Sequence, residues 1–261
     1  HPEYRRQRQM CIRDSLTGHT HDAIPKAIRI KETLLLSSGS HGKYLGRIDL
    51  KVNNGKVVET SSNLIPIFSD VIPPDKEISN LINKVRLPFE KECNRVIGET
   101  ETLLYRRGNF NGSWDDVICD TIIQERDTEI SLSPGFRWGT SILPGQKITI
   151  DDIYSQTAMN YPEVYRTEMT GKIIKELLED VCDNIFNSDP FFQQGGDMVR
   201  VGGLTYTCSP KNEIGKRISN LRMVSTNKPL EASKKYIVGG WGSINPNVEG
   251  PPIYNLLENY I

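Results

Sequence analysis

The sequence predicts a mixed α/β protein, a strand-rich opening followed by a larger alternating domain, and three observations carry that expectation. Ile48, Leu50 and Val52 alternate up to Asn53-Asn54-Gly55, the period of a half-buried strand running into a tight hairpin turn. Ile173, Ile174, Leu177, Leu178, Val181, Cys182, Ile185 and Phe186 recur at helical spacing, which makes one continuous apolar face. Beyond Gly98, strand-like runs such as TEISLS and KKYIVGGW are interleaved with helical patterns, the order expected of a sheet covered by helices.

In chain order, His1 to about Ser15 (HPEYRRQRQMCIRDS) is polar, basic and without period, and its MCIRDS end looks like translated adaptor sequence. Residues 1–15 are therefore expected to be a non-native or disordered leader. Residues 16–73 read as strand and turn, with TLLLSSGS ahead of the hairpin, the edge of a sheet rather than a complete domain. Pro73-Pro74 breaks the chain, and residues 74–97 read as a helical connector. There Ile78, Leu81, Ile82 and Val85 keep helical spacing, and Pro88 forces a kink or a restart before Phe89, Cys93 and Val96.

From residue 98 to 261 the pattern is one α/β domain. Ser113, with Asp116 three residues on, predicts a capped helix start with Trp114, Val117, Ile118, Thr121 and Ile122 along one side. TEISLS is a strand. TGKIIKELLEDVCDNIF is the longest helix, ended by Pro190, and GGLTYTCS, KRISNLRMVS and KKYIVGGW are three closing strands.

Composition narrows the function classes. The chain has 261 residues, 37% of them hydrophobic, enough to fill a core. Lys+Arg 32 against Asp+Glu 33 leaves a formal charge of -1, so nothing in the bulk electrostatics favours nucleic acid or an anionic membrane surface. No apolar run approaches the roughly 20 residues of a membrane helix. The five cysteines form no C-x-x-C pair, which argues against a zinc knuckle or a disulfide framework. Cys93, Cys119 and Cys182 sit in helical patterns and read as small buried hydrophobes.

Three clusters could carry chemistry. All four histidines lie in the first 41 residues, and Gly18-His19-Thr20-His21-Asp22 is the informative group. In an extended segment His19 and His21 point the same way, which suits a pair of metal ligands; surface or core histidines are the other reading, with Asp22 an orienting or turn residue. His41 sits in a glycine-rich turn and is given no direct role. SPGFRWG, residues 133–139, follows a predicted strand. Its Arg137 offers a planar fork of donors for a phosphate-like or sulfonate-like anion, or alternatively a surface ion pair. QQGGDMVRVGG, residues 193–203, places Asp197 and Arg200 between Gly-Gly pairs. The pair either fixes the loop or meets a ligand. In RRGNFNGSWDD, Arg106, Arg107 and Asn109 either line a cleft or belong to a capping turn.

The strings GHTHD, RRGNFNGSWD and SPGFRWGT, the stretch from TAMNYPEVYRTEMTGKIIKELLEDVCDNIF through DPFFQQGGDMVRVGG, and IVGGWG occur in this order from Leu16 to Ile261. In this the chain resembles the SoxB thiosulfohydrolases, a family similar to the 5'-nucleotidases. The resemblance implies that residues 16–73 are the C-terminal remnant of a metallophosphatase β-sandwich, 74–97 a helical linker, and 98–261 a 5'-nucleotidase-type C-terminal α/β domain. It implies two manganese ions with His19 and His21 among their ligands, one imidazole on each, and Arg137 as the catalytic, anion-binding arginine. Asn109, Trp138 and Asp197 become candidates for the wall of the substrate channel. The implied reaction is hydrolysis of the sulfonate from a cysteine S-thiosulfonate on a SoxYZ-type carrier protein, releasing sulfate in the periplasm. The family's earlier metal-binding motifs do not occur in the chain, so its ligand set is incomplete and the chain alone is expected to be inactive. Two other readings stay open: a 5'-nucleotidase-type phosphohydrolase with Arg137 on phosphate, and a non-catalytic carrier-binding module.

Overall fold

The structure is a computed structural model that describes residues 14–17, 21–31, 33–106, 108–136, 139–243 and 247–261. The chain divides into two compact units, His1–Val85 and Arg86–Ile261.

In the first unit, strands β1 (Asp14–Thr17), β2 (Ile28–Ile30) and β3 (Thr33–Ser37) form a sheet of order β1-β3-β2, with β1 parallel and β2 antiparallel to β3. Asp14 and Ser15, which the sequence reading placed in the leader, pair with Leu34 and Leu35; the rest of that leader lies outside the described residues. Strands β4 (Tyr44–Asn53) and β5 (Lys56–Pro66) form the expected hairpin. Asn54 and Gly55 both have positive φ, 49° and 70°, as a two-residue turn matched to strand twist requires. Helix α1 (Lys76–Arg86) starts on Asp75, whose carboxylate accepts from the Ile78 amide at 2.9 Å. It buries no residue: Ile78, Leu81, Ile82 and Val85 are all at least half exposed.

The second unit starts earlier than the expected boundary at 98. Pro88 separates α1 from the short helix α2 (Glu90–Cys93), and the strand after it, β6 (Val96–Glu99), pairs with β8 (Lys147–Thr149). Arg95 also bonds Glu258 at 2.6 Å near the chain's end, so the second half of the predicted connector belongs to this unit. Cys93 is only partly buried, not enclosed as expected, because α2 buries none of its residues.

The centre is a four-stranded sheet of order β10-β7-β13-β9, built from β10 (Arg200–Gly202), β7 (Ile130–Ser133), β13 (Lys235–Gly240) and β9 (Tyr165–Thr170). β7 and β13 are parallel and the outer pairings antiparallel. Every residue of β7 is buried, because helices cover both faces. Ile130, Leu132, Tyr236 and Val238 pack with Ile174, Leu178 and Cys182 of α5 (Gly171–Phe186). On the other face Gly202, Ser131 and Gly239 stand in one row across three strands. Helix α3 (Ser113–Arg126) rests on that row: a methyl group on Gly202 would meet Cys119 Cβ at 2.8 Å, and one on Gly239 would meet Ile122 at 2.5 Å.

Helix α3 in turn packs Ile118 and Ile122 with Ile153 of α4 (Ile150–Gln156) and Ile253 and Leu257 of α6 (Ile253–Tyr260). Strands β11 (Leu204–Cys208) and β12 (Ile218–Met223) form a separate antiparallel pair. One helix start differs from expectation. Ser113 is the first residue of α3 rather than its cap; its hydroxyl instead accepts from the Tyr105 amide at 3.1 Å and donates to the Leu103 carbonyl. No helix among the described residues is long and apolar enough to cross a membrane.

Candidate functional site

The three segments singled out in the C-terminal part of the sequence meet at the end of β7. The Arg106 guanidinium donates to the Pro134 carbonyl at 2.9 Å, tying the 105–112 loop to the first residue of the Pro134-Gly135-Phe136 turn. Arg200 donates to the Gly108 carbonyl at 2.6 Å, and the Met198 amide donates to the Asn109 carbonyl at 2.9 Å. Gly135 runs so close to the 197–198 backbone that a Cβ there would lie 2.3 Å from the Met198 carbonyl oxygen. Gly139, at φ 80°, lies against the Gln156 side chain. Beneath the loop, Trp241 Nε1 donates to Ser133 Oγ at 2.8 Å in the buried sheet. The Pro134-Gly135-Phe136 turn is therefore held by the Arg106 bond and by a close backbone approach at Gly135. Gly139 is held by a close side-chain approach, and larger residues at either glycine would break these contacts.

What holds the three loops is a buried ionic cluster. Asp115, on the first turn of α3, accepts from Arg106 Nε at 2.7 Å and lies 3.2 Å from Arg200 Nε, and all three side chains are fully enclosed. Arg106 also donates to the Gln156 carbonyl at 2.7 Å, and Arg200 Nη2 lies 3.6 Å from the Asp197 carboxylate. Burial pushes the Asp115 carboxyl up and the Arg106 guanidinium down from their ordinary values, and their mutual attraction opposes both shifts. The two arginines face two carboxylates, Asp115 and Asp197, so the formal charges of the cluster cancel within the loops it holds together. Removing Asp115 would leave two buried guanidiniums facing each other, which is the costly way to break such a cluster.

The residues expected from sequence fall unevenly. Asn109 is exposed and joins the convergence through its backbone; Asp197 is buried beside Arg200. Arg137, Trp138 and His19 lie outside the described residues. His21 has φ 61°, so it leaves the extended path on which the i, i+2 argument for His19 and His21 rested. Its ring stands edge-on to His41 at 5.9 Å between centroids, and His41, given no role from sequence, has φ 60°. Among the described residues no group of three or more His, Cys, Asp or Glu side chains gathers as a metal centre. The described part of the chain does not by itself fit a dinuclear site.

Sequence reasoning passed over Asp115, although the signal was present. At helical spacing it shares a face with Ile118, Cys119 and Ile122, and a carboxylate on an apolar face calls for a buried cation.

Residues 96–245 match the family described as 5'-nucleotidase, C-terminal domain. The chain belongs to that family. Within it, the fold is similar to that of the solved sulfate thiohydrolase SoxB of Thermus thermophilus, in complex with glycerol, at 33% identity and TM-score 0.89, over 95% of this chain and 47% of that one. A 5'-nucleotidase precursor, also from Thermus thermophilus, shares the fold at 18% identity and TM-score 0.72, over 94% of this chain and 52% of that one. The trifunctional nucleotide phosphoesterase YfkN of Bacillus subtilis is 25% identical over 228 residues, 80% of this chain and 15% of its own length. The chain thus spans about half the length of these solved relatives and less of that phosphoesterase. Its family is one of hydrolases, and this is a C-terminal α/β domain of the kind they carry.

Proposed function

We propose that this chain supplies the substrate-closing C-terminal part of a dinuclear-metal thiosulfohydrolase, which removes the sulfonate from a cysteine S-thiosulfonate on a SoxYZ-type carrier protein and releases sulfate in the periplasm. The observation that carries the reading is the likeness to the solved SoxB chain, 33% identical and at TM-score 0.89 across 95% of this chain. The nucleotidase fold, at 18% and 0.72, is a more distant match.

In this reading the guanidinium of Arg137, which follows in sequence the turn that Arg106 and Gly135 hold in place, takes the sulfonate oxygens as negative charge builds on them. Arg106, Arg200 and Asp115 are positioning residues that keep the three loops together. Asn109 and Trp138 border the path of the carrier arm, and Asp197, buried beside Arg200, backs it from within. Two manganese ions, with His19 and His21 supplying part of their ligands and the rest coming from an upstream metallophosphatase domain, would supply a metal-bound nucleophile.

The nucleotide phosphoesterase among the relatives favours a second reading, in which Arg137 holds a phosphate. A product assay separates the two. In a protein joining an upstream metallophosphatase domain to this chain, sulfate release from a carrier-bound S-thiosulfonate is compared with phosphate release from a nucleotide, in manganese. The thiosulfohydrolase reading expects sulfate release, with Arg137→Ala lowering kcat/KM by about 100-fold to 1000-fold. Phosphate release alone would move the protein to the nucleotidases, and tight carrier binding with neither product would make it a binding module.

A further inference from the structure

The four described cysteines are free thiols, and two of them meet. Cys182 on the enclosed face of α5 and Cys208 at the end of β11 bring their Sγ atoms to 3.5 Å. They come from different elements, and the intervening residues 183–207 carry Asp197 and Arg200. A disulfide bond is about 2.05 Å long, so bond formation asks for about 1.5 Å of closure between the sulfurs. The β11 ladder is already irregular beside Cys208: its register against β12 shifts between Thr205 and Thr207.

The two thiols differ in access. Cys182 is fully enclosed, whereas Cys208 is partly exposed and lines a cleft of about 450 Å³ together with Phe110, Val201, Leu204 and Tyr206. A small reagent entering that cleft therefore reaches Cys208 before the enclosed Cys182.

We propose that Cys182 and Cys208 are a redox-active thiol pair, oxidised to an intramolecular disulfide by a small-molecule disulfide of the glutathione type that enters through this cleft. The Cys208 thiolate attacks one sulfur of the reagent, whose S–S bond breaks and releases one thiol. Cys182 then loses its proton and attacks the Cys208 sulfur of the mixed disulfide, releasing the second thiol. Two protein thiols are oxidised and one reagent disulfide is reduced by two electrons. Cys182 is enclosed and Cys208 partly exposed, so the mixed disulfide forms first on Cys208 and Cys182 then resolves it. The product ties α5 to β11 and clamps both ends of the segment that holds Asp197 and Arg200. This inference is independent of which substrate the site takes.

The test uses the full chain, treated with oxidised glutathione at about pH 8, then alkylated and mapped by mass spectrometry without reduction. The expected result is a transient glutathione adduct on Cys208 followed by a peptide crosslinked between Cys182 and Cys208, with Cys93 and Cys119 left unlinked. The thermal midpoint should rise by about 8 °C and fall back on reduction. Cys208→Ser should lose adduct, crosslink and shift together. Thiols at 182 and 208 that stay alkylatable, a glutathione adduct that never resolves, or a crosslink that leaves the midpoint unmoved would each overturn the proposal.

Discussion

Two pieces of β-structure in this chain obey the same ladder rules and end in opposite environments. In the β4/β5 hairpin the strands pair along their whole length, yet only Ile48 of β4 is even partly buried. In the central sheet β7 is only four residues long and all four are enclosed. The hairpin's alternation of Ile48, Leu50 and Val52 is a pattern that would suit a covered sheet, and among the described residues of its own unit no helix lies over it. β7 instead has α3 on one face and α5 on the other. Pairing sets the shape of a sheet, and the layer packed upon it sets how strongly each side chain is held.

The sharpest way to test that contrast is to remove one carboxylate from each unit. Asp115→Ala leaves Arg106 and Arg200 buried without their shared anion, and should lower the stability of the second unit by about 3–5 kcal/mol. Asp49, paired with Arg47 at 3.0 Å on the exposed hairpin, should cost no more than about 0.5 kcal/mol when replaced by alanine. Urea unfolding of the two variants measures both; equal losses would remove the distinction between the units.

A second test uses pH. Burial pushes the Cys119 thiol up to about 12, against about 8.5 in an unfolded chain. A raised thiol stabilises the fold fully below the unfolded value, and that contribution is lost as pH rises through the folded one. Stability of the second unit should therefore decline from about pH 9 toward pH 12, with Cys182 and Tyr206, both also raised by burial to about 12, adding to the slope. Cys119→Ala should flatten the decline when the urea midpoint is followed across that range.

The smallest expected effect belongs to α1. Leu81, more than half exposed on a helix that buries nothing, should change stability by less than about 0.5 kcal/mol as Leu81→Ala. A loss of about 2 kcal/mol or more, the usual cost of truncating a core leucine, would mean that something covers this face in solution.

What the sequence showed depended on how local each signal was. The α5 face spans 16 residues of unbroken period, and Asn54-Gly55 announces its turn chemically, so both were legible. α4 and α6 are only seven and eight residues long and escaped notice, although Thr149 and Asp152 form a capping box at the start of α4 that the sequence spells out. β9 was missed as well, because most of its residues are polar or exposed. The site was legible as three loops and not as one place. Nothing in the local pattern says that the Arg106 guanidinium is sealed beneath the loop, since that depends on Asp115 and Gln156 arriving from other elements. The meeting of Cys182 with Cys208 is likewise a product of helix-on-sheet packing, invisible in their spacing.

The row formed by Gly202, Ser131 and Gly239 reaches further than its own packing. Helix α3 lies on that row near its middle and carries Asp115 at one end, roughly 10 Å along the axis from Ile122. The helix is thus a beam resting on a fulcrum almost bare of side chains. A single methyl group slipped under it would tilt the beam, and the far tip, where a carboxylate bridges two guanidiniums, would travel farthest. Substitutions deep in the sheet can in this way detune the three loops held by that cluster without touching any residue in them.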